Sequence, residues 1–396
     1  MKEIRAMATN VTDRSLNAND ISVFTSLQTD KGAVNTNPEF TQARRLSGTT
    51  KRTIAYTESG EIKNNQQGKQ QIQDTKTYPT ELSTEITQQT KDFLVAAIHA
   101  DVEDNSITDT DIEATATGFV IPGNNLAAGE YIFLSGLAEE DDNRAYYVQS
   151  VAGDVVTTSP APSTTEAAGS SISVDSMKAT SGTSKYYYTI QERMLDLAAA
   201  GDVSYRTYLD SQINSMTFEI PESSICTATP SFVSELPVNS NAAITGQTDA
   251  VNDSSDVVSA VNNVAGFWIN GVDSNCSVKS MTLEINNNLQ EDRSAGCERV
   301  GYDGRSFQAS GSLVTKAYIS DARDWQRKYE NGTRFNVAVE LFWPNDDRKM
   351  IVVIEQGVAT EHEMPTEANA IASNTLSIAA EESLVNGKTI SVYSNF

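Results

Sequence analysis

The chain has 396 residues, 29 of them basic and 53 acidic, for a formal charge of −24. A surface of that sign repels nucleic acid at a distance, which argues against a protein built to capture it. Hydrophobic residues make up 39% and aromatic ones 7%; no apolar run reaches membrane-spanning length and Met1–Asp13 lacks a signal-peptide core, so a soluble product of two or three domains made in a cytosol is expected.

Residues 1–50 read as a polar N-terminal arm whose apolar anchors are Phe24 and Phe40. Such an arm either docks or frays. Residues 51–89 read as a long hairpin with strands over Arg52–Glu58 and Thr80–Thr87. Its tip, Ile62–Lys76, is rich in Gln and Asn and cannot bury a core of its own. Thr90 is placed to cap a short helix in which Phe93, Leu94, Ala97 and Ile98 share one face.

Residues 105–178 change character. Short β runs at Gly118–Ile121, Glu130–Leu134, Ala145–Val151, Val155–Thr158 and Ser171–Val174 are separated by turn residues, with a flexible loop from Ser159 to Ser170. Asp101–Lys178 holds 14 acids against two bases, Arg144 and Lys178. This stretch reads as a small acidic all-β domain inserted into a larger sheet protein.

Strands resume at Tyr186–Met194 and Tyr205–Ile220, where Met216, Phe218 and Ile220 alternate with Thr217 and Glu219. Pro230–Val264 is rich in Asn, Ser, Ala and Asp, and 231–264 reads as a low-complexity insertion loop. No Lys or Arg occurs from Thr207 to Val278. Between Val278 and Phe342 lie three alternating runs. Met281, Leu283 and Ile285 alternate with Thr282, Glu284 and Asn286; Phe307, Ala309, Gly311 and Leu313 with Gln308, Ser310 and Ser312; Phe335, Val337, Val339 and Leu341 with Asn336, Ala338 and Glu340. Period two predicts strands with one apolar and one wet face. A helix is expected over Asp321–Glu330, with Ser320 as N-cap, Ala322, Trp325 and Tyr329 on its packed face, and Asn331-Gly332 as its stop. Final strands are expected at Lys349–Glu355 and Ala372–Ile378, and 386–396 reads as a C-terminal tail. The two pieces 51–104 and 179–385 would then form the main β core.

No constellation supports catalysis. His99 ends an apolar helix, where a packed ring is the simpler reading. Glu361-His362-Glu363 would point apart on a strand. No phosphate-cradling, dinucleotide or nucleophile-elbow motif occurs. The Asp-rich stretches at Asp101–Asp104 and Glu139–Asp142 lack calcium-loop spacing. Cys226, Cys276 and Cys297 are an odd number without metal spacing and read as free thiols. No enzyme activity, cofactor or metal is expected. Bases collect in 44–76 and 293–349, and acids in 101–178 and 207–278. Such sorting either lets copies complement one another or follows from one acidic insertion.

The order of elements resembles the tail tube protein, or major tail protein, of long-tailed bacteriophages. Three pieces carry the resemblance: Tyr56–Ile62 with its tip, Tyr78–Ile86 and the helix Phe93–Ile98; Tyr205-x-x-Tyr208 followed by Ile213–Pro221; and Val278–Leu289, Phe307–Leu313 and the helix ending Tyr329–Thr333. Together they cover roughly 51–100, 186–221 and 266–380; the stretches at 105–178 and 231–264 depart from the pattern. The resemblance implies a mainly β protein, an antiparallel β-sandwich or barrel with a flanking α-helix, to which the inserted all-β domain read above is an addition. It implies a virion structural protein forming homohexameric rings, stacked into a tube that conducts double-stranded DNA. It further implies tape-measure, tail-terminator and baseplate or tip proteins as partners, synthesis in the host cytoplasm, and no membrane. Thr217, Glu219, Thr282 and Glu284 are the candidates for the lumen wall. Glu61, Lys63, Asn65, Gln67, Lys69 and Gln71 are the candidates for contact between rings. A second reading is a virion decoration or adhesin module that stacks host glycans on Tyr131, Phe133, Tyr146 and Tyr147.

Overall fold

The computed structural model describes residues 21–32, 37–50, 53–58, 71–195, 203–235, 237–240, 242–250, 256–274, 277–292, 301–304, 306–316, 319–343, 345, 347–364 and 373–396. In chain order the first elements are β1 (Ile21–Leu27), β2 (Glu39–Gln42), β3 (Arg45–Thr50), β4 (Thr53–Glu58), β5 (Gln71–Glu85), helix α1 (Thr90–Ala97) and β6 (Asp101–Asp104). Seven strands follow as a sheet of their own: β7 (Ile107–Asp109), β8 (Glu113–Thr115), β9 (Gly118–Val120), β10 (Tyr131–Ser135), β11 (Ala145–Ala152), β12 (Val155–Ser159) and β13 (Ile172–Asp175). The main sheet then resumes with β14 (Met177–Thr180), β15 (Tyr188–Leu195), β16 (Val203–Ile220), β17 (Thr227–Ser234), β18 (Pro237–Ser240), β19 (Thr248–Asp249), β20 (Val264–Ile269), β21 (Val272–Asp273) and β22 (Val278–Asn286). After the small hairpin β23 (Gln290–Asp292) and β24 (Gly301–Asp303) come β25 (Gln308–Lys316), α2 (Ile319–Glu330), β26 (Arg334–Trp343), β27 (Arg348–Glu363), β28 (Ser373–Ala380) and β29 (Ile390–Ser394).

The main sheet folds over on itself into two layers. One runs β3-β5-β17-β16-β22-β25-β28. The other runs β20-β26-β27-β29-β14-β6. The long strand β27 joins them, because its C-terminal part pairs with β28. Between the layers, Met216, Phe218, Leu283 and Leu313 meet Val337, Val339, Val352 and Ile354 in one buried cluster. Helix α1 plugs the same core with Phe93, whose ring meets Tyr188 and Phe232 edge-on at 5.9 Å each. Helix α2 seats Trp325 against Phe335 at 5.4 Å and stops where expected: Gly332 takes a φ of +58°, and Thr333 N–H closes on the Lys328 carbonyl at 2.8 Å.

Several expectations need correction. The arm is not separate, since β1, β2 and β3 are all sheet strands. Phe24 and Phe40 are buried, and the Arg193 guanidinium lies 3.6 Å over the Phe24 ring while forking onto Asp249 at 2.6 and 2.7 Å. That ion pair also pins part of the 231–264 stretch, where β19 runs parallel to β2. The stretch further holds the end of β17 and all of β18, so it is not a free loop. The partner of β4 is Gln71–Thr77, so β5 begins nine residues before the expected Thr80. Thr90 does not cap α1: the cap is Gln89, and the Thr90 hydroxyl accepts from Thr87 N–H in the preceding turn. Helix α2 starts at Ile319, which puts Ser320 inside it. The supposed tail contains β29, buried at all five positions between β27 and β14. Met177 and Lys178 likewise belong to the main sheet through β14, so the second sheet ends at Asp175.

A candidate lumen face and the covered face behind it

The polar side chains of the first layer fall into register across its strands. One row runs Glu85, Thr227, Glu219, Thr282, Ser312, Ser377, Glu361 from β5 to β27. The next runs Thr229, Thr217, Glu284, Ser310, Ala379. A third runs Glu81, Ser231, Ser215, Asn286, Gln308. Alternation in every strand sends the intervening residues to the core and these to the other side. The four residues expected at a lumen wall therefore stand together: Thr217 opposite Glu284, and Glu219 opposite Thr282. Both glutamates are exposed and both threonines half-buried. No Lys or Arg occupies these three rows. Glu85, at the margin, has Arg44 at 3.8 Å. The result is a broad hydroxyl and amide surface studded with carboxylates, without the convergent groups of an active site.

Of the residues expected to bridge rings, Glu61, Lys63, Asn65, Gln67 and Lys69 lie outside the described residues. Gln71 is exposed at the far end of the β4–β5 hairpin, opposite Glu58. The two histidines are packed. His99, at a φ of 50°, faces the Ser184 carbonyl at 3.0 Å through Nδ1, and burial lowers its pKa. His362 contacts the Asn374 side chain at 3.1 Å. Cys226 is buried, which pushes its thiol up to about 12; Cys276 and Cys297 lie outside the described residues.

The second layer differs. The third alternating run was expected to have a wet face carrying Asn336, Ala338 and Glu340. In β26 the residues from Val337 to Leu341 are buried on both faces. The seven-stranded sheet causes this: Tyr131, Phe133 and Ala145 pack on Trp268, Ala338, Ile351, Val353 and Tyr393. Tyr131 sits among Tyr147, Trp268 and Tyr393 at 5.3, 5.3 and 5.6 Å between ring centres. Polar clasps flank the seam, with Lys178 against Glu130 at 2.5 Å and Lys349 donating to the Asn143 carbonyl at 2.9 Å. Tyr147 also packs on the turn at Gly271, where a Cβ would come within 2.4 Å of its ring. Only Tyr146 of the four aromatics turns into the small sheet's own core, edge-on to Phe119 at 4.9 Å. The others face the seam, so these aromatic faces are not offered to a glycan.

Beside the seam is a cleft of about 260 Å³ between Arg144, Ala145 and Pro160 on one side and Trp268, Asp273, Glu340 and Lys349 on the other. Burial pushes the Glu340 carboxyl up to about 7, with Lys349 and Arg144 pulling the other way. Glu355, half-buried near the same seam, is also raised by desolvation. Sequence reading missed this face. Its signal was the continuous apolar run Tyr131–Leu134, buried at every position; an uninterrupted run implies cover on both sides.

The fold is a β-sandwich with one face of ordered carboxylates and hydroxyls and the other face roofed by a second sheet. The model of the phage tail tube protein family matches residues 18–382, nearly the whole chain, and the protein belongs to that family. No curated protein sequence matches it. It is thus a component of a virion tail, and among the described residues no helix is long and apolar enough to cross a membrane.

Proposed function

We propose that the chain forms hexameric rings that stack into the tail tube, and that the polar face of the first layer lines the channel through which the viral DNA leaves. The observation that carries this reading is the unbroken row from Glu85 to Glu361 and its two neighbours, three rows that present carboxylates and contain no base. A wall of that kind repels the phosphate backbone, and its rows offer DNA no base of their own to adhere to. The layer also has edges suited to closure. The Ser47–Thr50 side of β3 away from β5, and the Ala359–Glu363 side of β27 away from β28, meet no other strand among the described residues. Copies joined there would complete a barrel and remove exposed edges. The tape-measure, terminator and tip proteins are the partners this role requires. Replacing Glu219 and Glu284 with Gln, in otherwise intact particles, is expected to leave tubes standing and slow genome release. Release at the wild-type rate would count against this face as the wall.

A further inference from the structure

Among the described large apolar side chains, the two most exposed are neighbours: Leu384 at 85% and Val385 at 87%. A single exposed leucine signifies little. These two, however, stand at the tip of a turn that is hydrogen-bonded throughout. Ser383 N–H reaches the Lys388 carbonyl and Gly387 N–H the Ser383 carbonyl, each at 2.8 Å. Gln356 accepts from Leu384 N–H and donates to the Glu382 carbonyl, and Arg334 holds Glu381 at 2.9 Å. The chain thus holds an apolar knob in a fixed position with the exposed acid Glu382 beside it.

A matching recess lies elsewhere on the molecule. A cleft of about 340 Å³ at the corner of β1, β2 and β3 is lined by Ile21, Val23, Ala43 and Leu46, with Arg44, Arg45 and Glu85 at its polar side. Leu46 is itself 57% exposed. Register places the two features at opposite ends of the polar layer. The knob follows Ala380, which pairs with Ala309 beside the row of Glu81 and Gln308. The cleft adjoins Arg45, opposite Thr84 beside the row of Glu85. The β4–β5 hairpin leaves the layer at the knob's end.

We propose that the Leu384–Val385 knob of one copy enters the Ile21–Leu46 cleft of the copy in the adjoining ring. This inference rests on the tube reading above. A knob and a cleft at opposite ends make a heterologous contact, which repeats without closing and so builds a stack. The cleft carries two arginines to one acid, Glu85, and the knob carries the exposed acid Glu382, so knob against cleft sets opposite signs together where knob against knob would face like charges.

The test uses the full chain with Leu384→Ser and Val385→Ser, alongside wild type, under conditions where wild type forms tubes visible by electron microscopy. Both substitutions are on an exposed turn, so the melting curve is expected to be unchanged. Isolated rings in place of tubes are the expected result. Tubes of wild-type length at equal protein concentration would overturn the inference while leaving the tube reading intact; failure of wild type to form rings or tubes would overturn that reading itself. A second variant carries Leu46→Cys and Leu384→Cys, with each single variant as control. Oxidation of its tubes is expected to give a denaturation-resistant ladder extending past six chains. A ladder ending at six, or single chains only, would overturn the contact between rings.

Discussion

Glu340 shows how far a residue's role can depart from its place in a pattern. As one polar member of an alternating run it reads as solvent-facing, yet it is buried beneath the second sheet with a carboxyl pushed up to about 7. Its native pKa lies above the ordinary 4.5, so between those values the folded state holds a proton that the unfolded state releases. Stability from this group is therefore complete below the ordinary value and declines as pH rises to about 7. Glu340→Gln keeps the shape without the charge. It is expected to stabilise the protein by roughly 1–3 kcal/mol at pH 8 and to do little at pH 5. Thermal melts of both proteins across that range check this; equal gains at both pH values would refute the burial account. That Thr217, Glu219, Thr282 and Glu284 share one face was legible because alternation fixes the face and pairing preserves it. The aromatic seam was not, because nothing local to Trp268 or Tyr393 says which distant strand covers them.

At the scale of elements, strands buried on both faces, β10, β15 and β27 among them, were readable as strands, but what covers them was not. By its own sequence β29 reads as tail and β26 as a half-wet strand, since each becomes buried only through partners far away in sequence. The arm was hidden for the same reason: its anchoring ion pair joins Arg193 to Asp249, across elements that local propensity cannot connect. The seven-stranded sheet is then more than an ornament hung on the sandwich. Replacing Ile107–Asp175 with a short linker would expose Trp268, Ala338, Ile351, Val353 and Tyr393 as one apolar patch. The shortened chain is expected to aggregate or bind a hydrophobic dye strongly. Adding Trp268→Gln, Ile351→Thr, Val353→Thr and Tyr393→Ser should recover soluble protein. A deletion that stays soluble and dye-negative without those changes would show that the sheet does not serve as cover.

For the whole molecule, the two layers divide the work. One carries a row of carboxylates and hydroxyls that no base interrupts, and the other accepts a roof; under the proposed stacking, the unlike features at the two ends of the strands give the stack one direction. Sequence order alone pointed to the tube family, because its alternating runs survive insertion of a whole sheet and of a polar stretch. It could not place the edges, the knob or the cleft, which exist only once distant strands meet. The central claim is that the layer built from β5, β17, β16, β22, β25 and β28 faces a shared channel. Cryo-electron microscopy of the assembled protein at side-chain detail tests it most directly. The account predicts six-fold rings with Glu219 and Glu284 pointing into the lumen and the seven-stranded sheet on the outside. A persistent monomer at high concentration, or a tube with those glutamates turned outward, would contradict it.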